Sequence, residues 1–501
     1  MKNYRKLIVS RGLALTVLAL GSGCSLAPQY ARPEMDIPVA FKEAKAVANP
    51  GDAASANFWK DAQPSDQAYR GQWWKVFGDK QLDQLEEQAL DANQSLKAAA
   101  ARVREARAIQ TSTRAGLFPT IGAGFGPTRE KVSPTSVFQP DGNDIAAQTV
   151  WRAQGTVSYE ADLFGRVSDT VRAAQAESKQ ADALLKSVQL SLQADVADNY
   201  FRLRELDSEL DVYAKTVELR RQTLALTQSR YGAGQVAEID VERAKSELAT
   251  AQSESMTAQR LRAASEHSLA VLLGKAPPDF SMAARPLTPM DVTVPPGLPS
   301  SLLERRPDVA AAERAMQAAN ARIGVAKAAY FPSLSITGSA GFEAATLGDL
   351  FKWSSRAFIL GPAAGTALTL PLFDGGRRKG NLENARAVFD EDVANYRQQV
   401  LQAFREVEDD LSELRILSDQ TRAQSVAVTA SKRADFLARS QYREGAVDYL
   451  DVIDADRTVL AAQLTAVQLS GVQATASVNL IRALGGGWGS DPDPVAAQPV
   501  Q

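Results

Sequence analysis

The segment SRYGAGQVAEIDVERAKSELATAQ, which begins at Ser229, returns in altered form as SQYREGAVDYLDVIDADRTVLAAQ from Ser440, 211 residues later. Each copy holds a Tyr, a Gly-bearing break and a stretch that opens with acids. The flanking sequence repeats as well. NQSLKAAAARVREARAIQTSTRAGLFP from Asn93 pairs with RPDVAAAERAMQAANARIGVAKAAYFP from Arg306, SYEADLFGR from Ser158 with LTLPLFDGG from Leu368, and LAVLLGK from Leu269 with IRALGGG from Ile481. The offsets stay within 209 to 213 residues, so a tandem duplication explains all four matches together. Each half reads helix, strand pair, long helix, break, helix. The chain thus divides into a signal segment (1–23), an N-terminal segment (24–92), a first repeat (93–274), a proline-rich linker (275–302), a second repeat (303–484) and a tail (485–501).

Composition limits what such a duplicated chain can do. It is 45% apolar but only 7% aromatic, which suits a long Ala-rich helical protein better than a compact enzyme core. One Cys and one His leave no material for a disulfide framework, a Cys-based zinc site or a His-centred triad. His267 falls in a helical stretch and reads as a surface or packing residue, and no Met-rich or His-rich path favours metal. GAGQ at 232–235 is too short for a phosphate-binding loop and lacks its Lys. The chain is read as a non-enzyme with no catalytic residues and no metal site.

At the N-terminus, Lys2, Arg5, Lys6 and Arg11 precede LALTVLAL and then GSGC, a secretory signal too short to span a bilayer. The small residues before Cys24 resemble a bacterial lipobox, with Leu20 four residues before the Cys and Gly21 in the usual Leu place. That similarity implies a lipidated Cys24 and no other cofactor. Ordinary cleavage leaving a spare thiol is the alternative. Ser25 stands where an inner-membrane retention signal has Asp, which implies the outer membrane. Removing the signal takes the formal net charge from −3 to −7, so nucleic-acid binding has no electrostatic support.

Two periodicities carry the architecture. Leu334, Ile336, Ala340 and Phe342 alternate with Ser333, Ser335, Thr337 and Ser339; Val157, Tyr159, Ala161 and Leu163 alternate with Thr156, Ser158, Glu160 and Asp162; Ile121, Ala123 and Phe125 share one face. TALTLPLF from Thr366 is a weaker fourth strand. A soluble half-buried sheet alternates likewise, but stretches of about 9 to 11 residues suit strands crossing an outer membrane. Four strands cannot close a barrel, and open edges in hydrocarbon are costly, so spanning requires several copies; two copies would make a barrel that side chains fill, and a pore calls for three or more. From Arg166 to Tyr231 there is neither Pro nor Gly. There, Leu185, Val188, Leu192, Val196, Tyr200, Leu203, Leu206, Leu210 and Tyr213 advance 28 residues in eight steps, the coiled-coil mean of 3.5. Val393, Tyr396, Val400, Phe404, Val407, Leu411, Leu414 and Leu417 repeat the pattern. In GQWWKVFGDKQLDQLEEQAL, Trp73, Trp74 and Phe77 read as packing residues at a helix start.

CSLAPQYARP, WWKVFGDKQLDQLEEQAL, YEADLFGR, RRPDVAAAERAMQAANARIGVAKAAYFPSLSITGSAGF and LPLFDGGRR, in this order with the duplicated phrase, resemble the outer membrane factors of tripartite efflux pumps, in the NodT-like, OprM-like lipoprotein branch of the TolC family. The resemblance covers about residues 24 to 488. It implies a mainly α fold with a transmembrane β part, in which a homotrimer builds a twelve-strand barrel, four strands per chain, continued by a long periplasmic α-helical barrel. It also implies partners: outer-membrane lipid, a periplasmic adaptor and a proton-driven inner-membrane pump. The two Gly-bearing breaks become helix turns at the periplasmic mouth, where Tyr231, Gly232, Gly234, Arg443 and Gly445 form the tips for adaptor docking. The glycines would supply the unusual backbone angles of a sharp reversal.

By the same resemblance, Asp451 and Asp454 match acids that ring the closed mouth, and Leu450 matches an apolar constriction. Tyr442 matches a Tyr that hydrogen-bonds an Asp of the other hairpin, here Asp240, and Arg457 is a further latch residue. Val447 stands where TolC has a gate-locking Arg. Simple helix N-terminal stabilisation is the other reading of the acids, worth about 0.3 to 1 kcal/mol each. A protein-secretion duct would share this architecture, and a lipid-anchored coiled-coil spacer without a pore would share the helices.

Overall fold

The computed structural model describes residues 25–38, 40–43, 72–131, 133, 146–288, 305–360 and 368–486; the signal segment, Cys24, the linker beyond residue 288 and the tail beyond residue 486 lie outside them. Seven α-helices are described: α1 Lys80–Ala92, α2 Gln94–Arg114, α3 Arg166–Gly232, α4 Glu238–Leu272, α5 Pro307–Ala328, α6 Arg377–Arg443 and α7 Tyr449–Ala483. The strands are β1 Thr120–Glu130, β2 Gln148–Ala161, β3 Ser333–Ala344, β4 Arg356–Leu360 and β5 Leu368–Thr369. The long helices α3 and α6 both have 67 residues, and α4 and α7 both have 35. A helix of 67 residues is about 100 Å long. Among the described residues no helix is long and apolar enough to cross a membrane.

Two compact units are present, and each draws on both repeats: Met1–Glu34, Val103–Ala181 and Ala312–Tyr396 form the first, and Met35–Arg102, Asp182–Ala311 and Arg397–Gln501 the second. The first holds the sheet, in the order β1-β2-β3-β4, all antiparallel, with β5 also on β3. The register aligns Ala123, Gly155, Ala340 and Phe358 in one row and Phe125, Ala153 and Phe342 in the next. Because side chains alternate along a strand, Ile121, Val157, Tyr159 and Ile336 fall on that same face, a surface that is largely apolar and carries Arg356 opposite Phe342 on β4. Ile121 and Phe358 are 80% and 81% exposed on it. Arg152 crosses three strands to Glu130 (3.1 Å) and Glu343 (3.0 Å).

The fourth strand differs from expectation. It begins at Arg356, ten residues before Thr366, and its second piece is only Leu368–Thr369. Pro371 follows, and a proline has no N–H to give to a ladder. Among the described residues the outer edge of β1 and the outer edges of β4 and β5 have no partner strand.

The duplicated corner phrases turn strands into helices with the same device. Asp162 accepts the N–H groups of Val167 (2.9 Å) and Ser168 (2.7 Å) at the start of α3, and Asp374 accepts those of Gly376 (3.1 Å) and Arg378 (3.2 Å) at α6. A carboxylate there satisfies orphan helix donors.

In the second unit the expected packing residues hold the core. Trp73, Trp74 and Phe77 are buried with Leu82, Leu85, Leu192, Val196, Tyr200, Phe201 and Leu203, and Val478 and Ile481 of α7 join them. Phe77 meets Phe201 edge to face at 4.9 Å. The seam of α3 is buried from Leu192 to Leu206, where the 3.5-residue spacing places it. His267 is an exposed residue of α4.

Three carboxyls of this unit, the buried Glu86 and the half-buried Asp198 and Asp410, are held above the usual carboxylate range. Glu86 has no exposure and no partner for either oxygen among the described residues; burial, aided by Asp83, pushes it well above the usual carboxylate range. Burial likewise pushes Asp198 and Asp410 to about 7, with Arg482 opposing in both. A carboxyl raised in the fold stays protonated where the unfolded chain has already ionised. Its stabilising effect is therefore complete below about pH 4 and is lost as pH rises to about 7. The thermal midpoint should rise as the buffer goes from about pH 8 to about pH 5, and Asp198→Asn with Asp410→Asn should flatten that slope in scanning calorimetry. An unchanged slope in the double variant would contradict this account.

Candidate functional site

Helix α3 returns into α4 across residues 233–237, and α6 into α7 across 444–448. Both returns close in the same way. Gly234 N–H donates to Tyr231 O (2.9 Å) and Gln235 N–H to Arg230 O (2.9 Å); Gly445 N–H donates to Tyr442 O (3.1 Å) and Ala446 N–H to Gln441 O (2.9 Å). This is the Schellman pattern, with a left-handed residue just past the helix. Gly234 (φ 73°) and Gly445 (φ 77°) meet it; Gly232 does not. Gly232 is the last helical residue of α3, and its repeat counterpart is Arg443, so its expected backbone role is corrected. Tyr231, Gly232, Gly234, Arg443 and Gly445 are all exposed at these tips.

The acids diverge between the repeats. Asp240 and Asp451 occupy equivalent first-turn positions of α4 and α7. Three residues on, the first repeat has Arg243, which pairs with Asp240 at 3.5 Å, whereas the second has Asp454. Asp451 and Asp454 are both exposed, one turn apart, and neither makes a salt bridge among the described residues. Leu450 is exposed beside them, as is its counterpart Ile239.

Tyr442 does not bond Asp240. It is 8% exposed, whereas its counterpart Tyr231 is 46% exposed, and its hydroxyl has no hydrogen-bond partner among the described residues. The ring packs with Tyr449 at 5.5 Å and with Ala244, Val452 and Ile453, while the Arg230 guanidinium lies over it at 4.9 Å. Asp240 is paired instead with Arg243 of its own helix. Arg230 also approaches the carbonyls of Tyr442 (3.5 Å) and Arg443 (3.4 Å), so a cation of the first hairpin caps the negative end of α6.

A larger ionic tie lies deeper along the helices, about three turns before Arg230. Arg220 of α3 donates through Nε to Asp456 Oδ2 (2.8 Å) and through Nη1 to the Glu247 carbonyl (2.8 Å), and its Nη1 lies 3.2 Å from the Glu247 carboxylate. Arg439 of α6 reaches Asp456 Oδ1 (2.9 Å) and holds Asp435 with both carboxylate oxygens (2.8 and 2.9 Å). Arg457 of α7 donates Nε to Glu247 Oε1 (3.0 Å), and this hydrogen bond raises its pKa. Three guanidiniums and three carboxylates thus join α3, α4, α6 and α7. Sequence reading picks out Arg457 but misses Arg220, Glu247, Asp435, Arg439 and Asp456. A signal exists: continuing the seam from Leu206, Leu210 and Tyr213 by alternating steps of four and three reaches Arg220, a charge in an apolar position. Asp456 likewise falls within the buried stripe of Val452, Ile453 and Leu460.

Comparison with known proteins gives consistent findings. The model of the family described as "Outer membrane efflux protein" matches residues 85–275 and again 298–486. The chain is 33% identical over 492 residues to the toluene efflux pump outer membrane protein TtgF of Pseudomonas putida, covering 97% of this chain and 98% of that one. It is 31% identical to the cation efflux system protein CusC of Escherichia coli, covering 93% and 96%. The solved outer-membrane channel OprN superposes with a TM-score of 0.82 at 30% identity, covering 93% of this chain and 100% of that one.

Removing one member of the buried network strands its partners, so Arg220→Ala should cost about 3 to 5 kcal/mol. Tyr442→Phe deletes a hydroxyl that bonds nothing and should be neutral or stabilising by up to about 1 kcal/mol. Thermal midpoints of the two purified variants check the contrast, and a destabilised Tyr442→Phe would restore the Asp240 bond. At the turns, Gly445→Ala should destabilise and Gly232→Ala stabilise, each by about 0.5 to 1 kcal/mol. The same midpoint measurement decides.

Proposed function

This chain belongs to the outer membrane efflux protein family, and from that premise we propose how its own residues carry out passive export by a homotrimeric duct with a periplasmic gate. The protein is an outer-membrane efflux channel with a TolC-like fold and a large periplasmic part. The single observation that carries the proposal is the apolar sheet with two unpaired edges. In hydrocarbon each unpaired amide costs several kcal/mol, so the edges join those of sister chains. Three copies give twelve strands, enough for a water-filled lumen.

At the mouth, three copies of Asp451 and Asp454 stack carboxylates that attract cations, and three copies of Leu450 narrow the passage. Asp451 sits in the first turn of α7 and gains from the helix dipole; Asp454 lies beyond that turn, where the dipole fades, so its acidity fits a pore role better. The network around Arg220 and Asp456, with Arg230, latches the hairpins. A periplasmic adaptor docks on the tips at 231–239 and 443–449 and shifts the helix ends. Solute, small molecules handed over by an inner-membrane pump, then moves without any reaction. Cys24 carries the lipid that holds the mature chain in the outer membrane.

In planar bilayers the wild-type protein should show low, cation-selective conductance. Asp451→Asn with Asp454→Asn should reduce the cation selectivity, and Arg220→Ala should raise the open probability by breaking the latch. No conductance at all would remove the duct, and an Arg220→Ala variant as closed as wild type would remove the latch.

A further inference from the structure

Residues 25–34 lie against two helices of the first unit. Ser25 Oγ donates to Asp169 Oδ1 of α3 at 2.7 Å, and Ala27 N–H donates to Ser25 Oγ at 3.2 Å. Farther on, Asn320 of α5 donates Nδ2 to the Pro28 carbonyl at 2.9 Å, and Arg32 pairs with Glu313 at 3.0 Å. The strap therefore spans a helix of the first repeat and a helix of the second.

Asp169 is unusual among these contacts. Its side chain has no exposure, and Arg172 also donates to Oδ1 at 2.8 Å. Oδ2 is buried without a donor among the described residues, so the carboxylate has capacity for another N–H. Gly324 of α5 makes room for it: a Cβ there would overlap the Asp169 carboxylate and lie 2.7 Å from the Ala27 Cβ. A buried carboxylate held open this way is costly unless donors reach it.

Its place along the chain gives it a purpose. Asp169 is the fourth residue of α3, which starts five residues after β2 ends, so it lies close to the point where the chain leaves the sheet. Ser25 directly follows Cys24, and one trans peptide unit spans about 3.8 Å. We infer that the buried Asp169 carboxylate is the post that holds the acylated N-terminus, so that the lipid of Cys24 enters the periplasmic leaflet beside the sheet rather than on a free tether. The inference rests on the lipidation reading. Asp169 is a positioning residue, and since the strap needs α3 and α5 together, it closes only when the two repeats have packed.

The test uses the full-length protein in outer-membrane vesicles, with Ser25→Ala and, as rescue, Ser25→Thr, which keeps the hydroxyl. Neither variant replaces Asp169 or any other residue of α3; Ser25→Ala removes only the hydroxyl donor, and Arg172 still donates to the carboxylate. A hydrogen bond to a charged acceptor is lost in Ser25→Ala, so hydrogen exchange over residues 26–34 should quicken about tenfold or more. Ser25→Thr should restore protection, and mass spectrometry should find Cys24 equally acylated in all three proteins. Equal protection of Ser25→Ala and wild type would overturn the post. An unmodified Cys24 in wild type would instead overturn the lipid, leaving the exchange comparison to decide the strap by itself.

Discussion

A strand edge in hydrocarbon has no water to satisfy its amides, and the chain carries two such edges. β1 pairs only with β2, and β4 and β5 only with β3, among the described residues. The apolar row of Phe125, Ala153 and Phe342 would suit a covered soluble sheet as well, yet Ile121 and Phe358 have nothing over them in the chain. Membership of an outer-membrane family resolves the choice: lipid covers the face, and only another strand can cover an edge. In the proposed trimer the helices inherit the strands' arrangement, because the Asp162 and Asp374 caps join strand to helix through tight corners.

Electrostatics then separates buried ties from exposed pairs. Exposed pairs such as Lys245 with Glu242 contribute little, since water and salt screen them. The centre of the Arg220 network, Arg220 with Glu247 and Asp456, is buried, and its desolvation is offset only while each has its partner. Such a network is strong when whole and weak when one contact shears, the behaviour that the proposed latch between the hairpins requires. Its six charges also balance, so closing it leaves no net charge in the seam.

Duplication supplied both hairpins, and divergence gave them different work. Helix lengths and Schellman closures are kept: Gly274 and Gly485 end α4 and α7 as Gly234 and Gly445 end α3 and α6. The side chains at the tips are not kept. Arg243 neutralises Asp240 in one hairpin while Asp454 doubles the acid of Asp451 in the other, and Tyr231 faces solvent while Tyr442 is buried under Arg230. One hairpin thus contributes cations that hold the pair together, and the other presents free carboxylates.

Much of this is legible in the sequence. The 3.5-residue seam, the alternating strands, the aromatic cluster before α1 and the closing glycines at 234 and 445 follow from backbone periods and φ preferences, which a chain sets locally. The fourth strand is placed too late by its sequence because Arg356–Leu360 is too short to show a period. Partners are a different matter. Asp456 and Arg220 lie 236 residues apart and Ser25 and Asp169 lie 144 apart, and no local pattern says which helix faces which. Burial of Asp456 but not Asp454, and the lack of a partner for the Tyr442 hydroxyl, were decided only when four helices packed, because a hydrogen bond depends on placement to within a fraction of an ångström and periodicity fixes only a face.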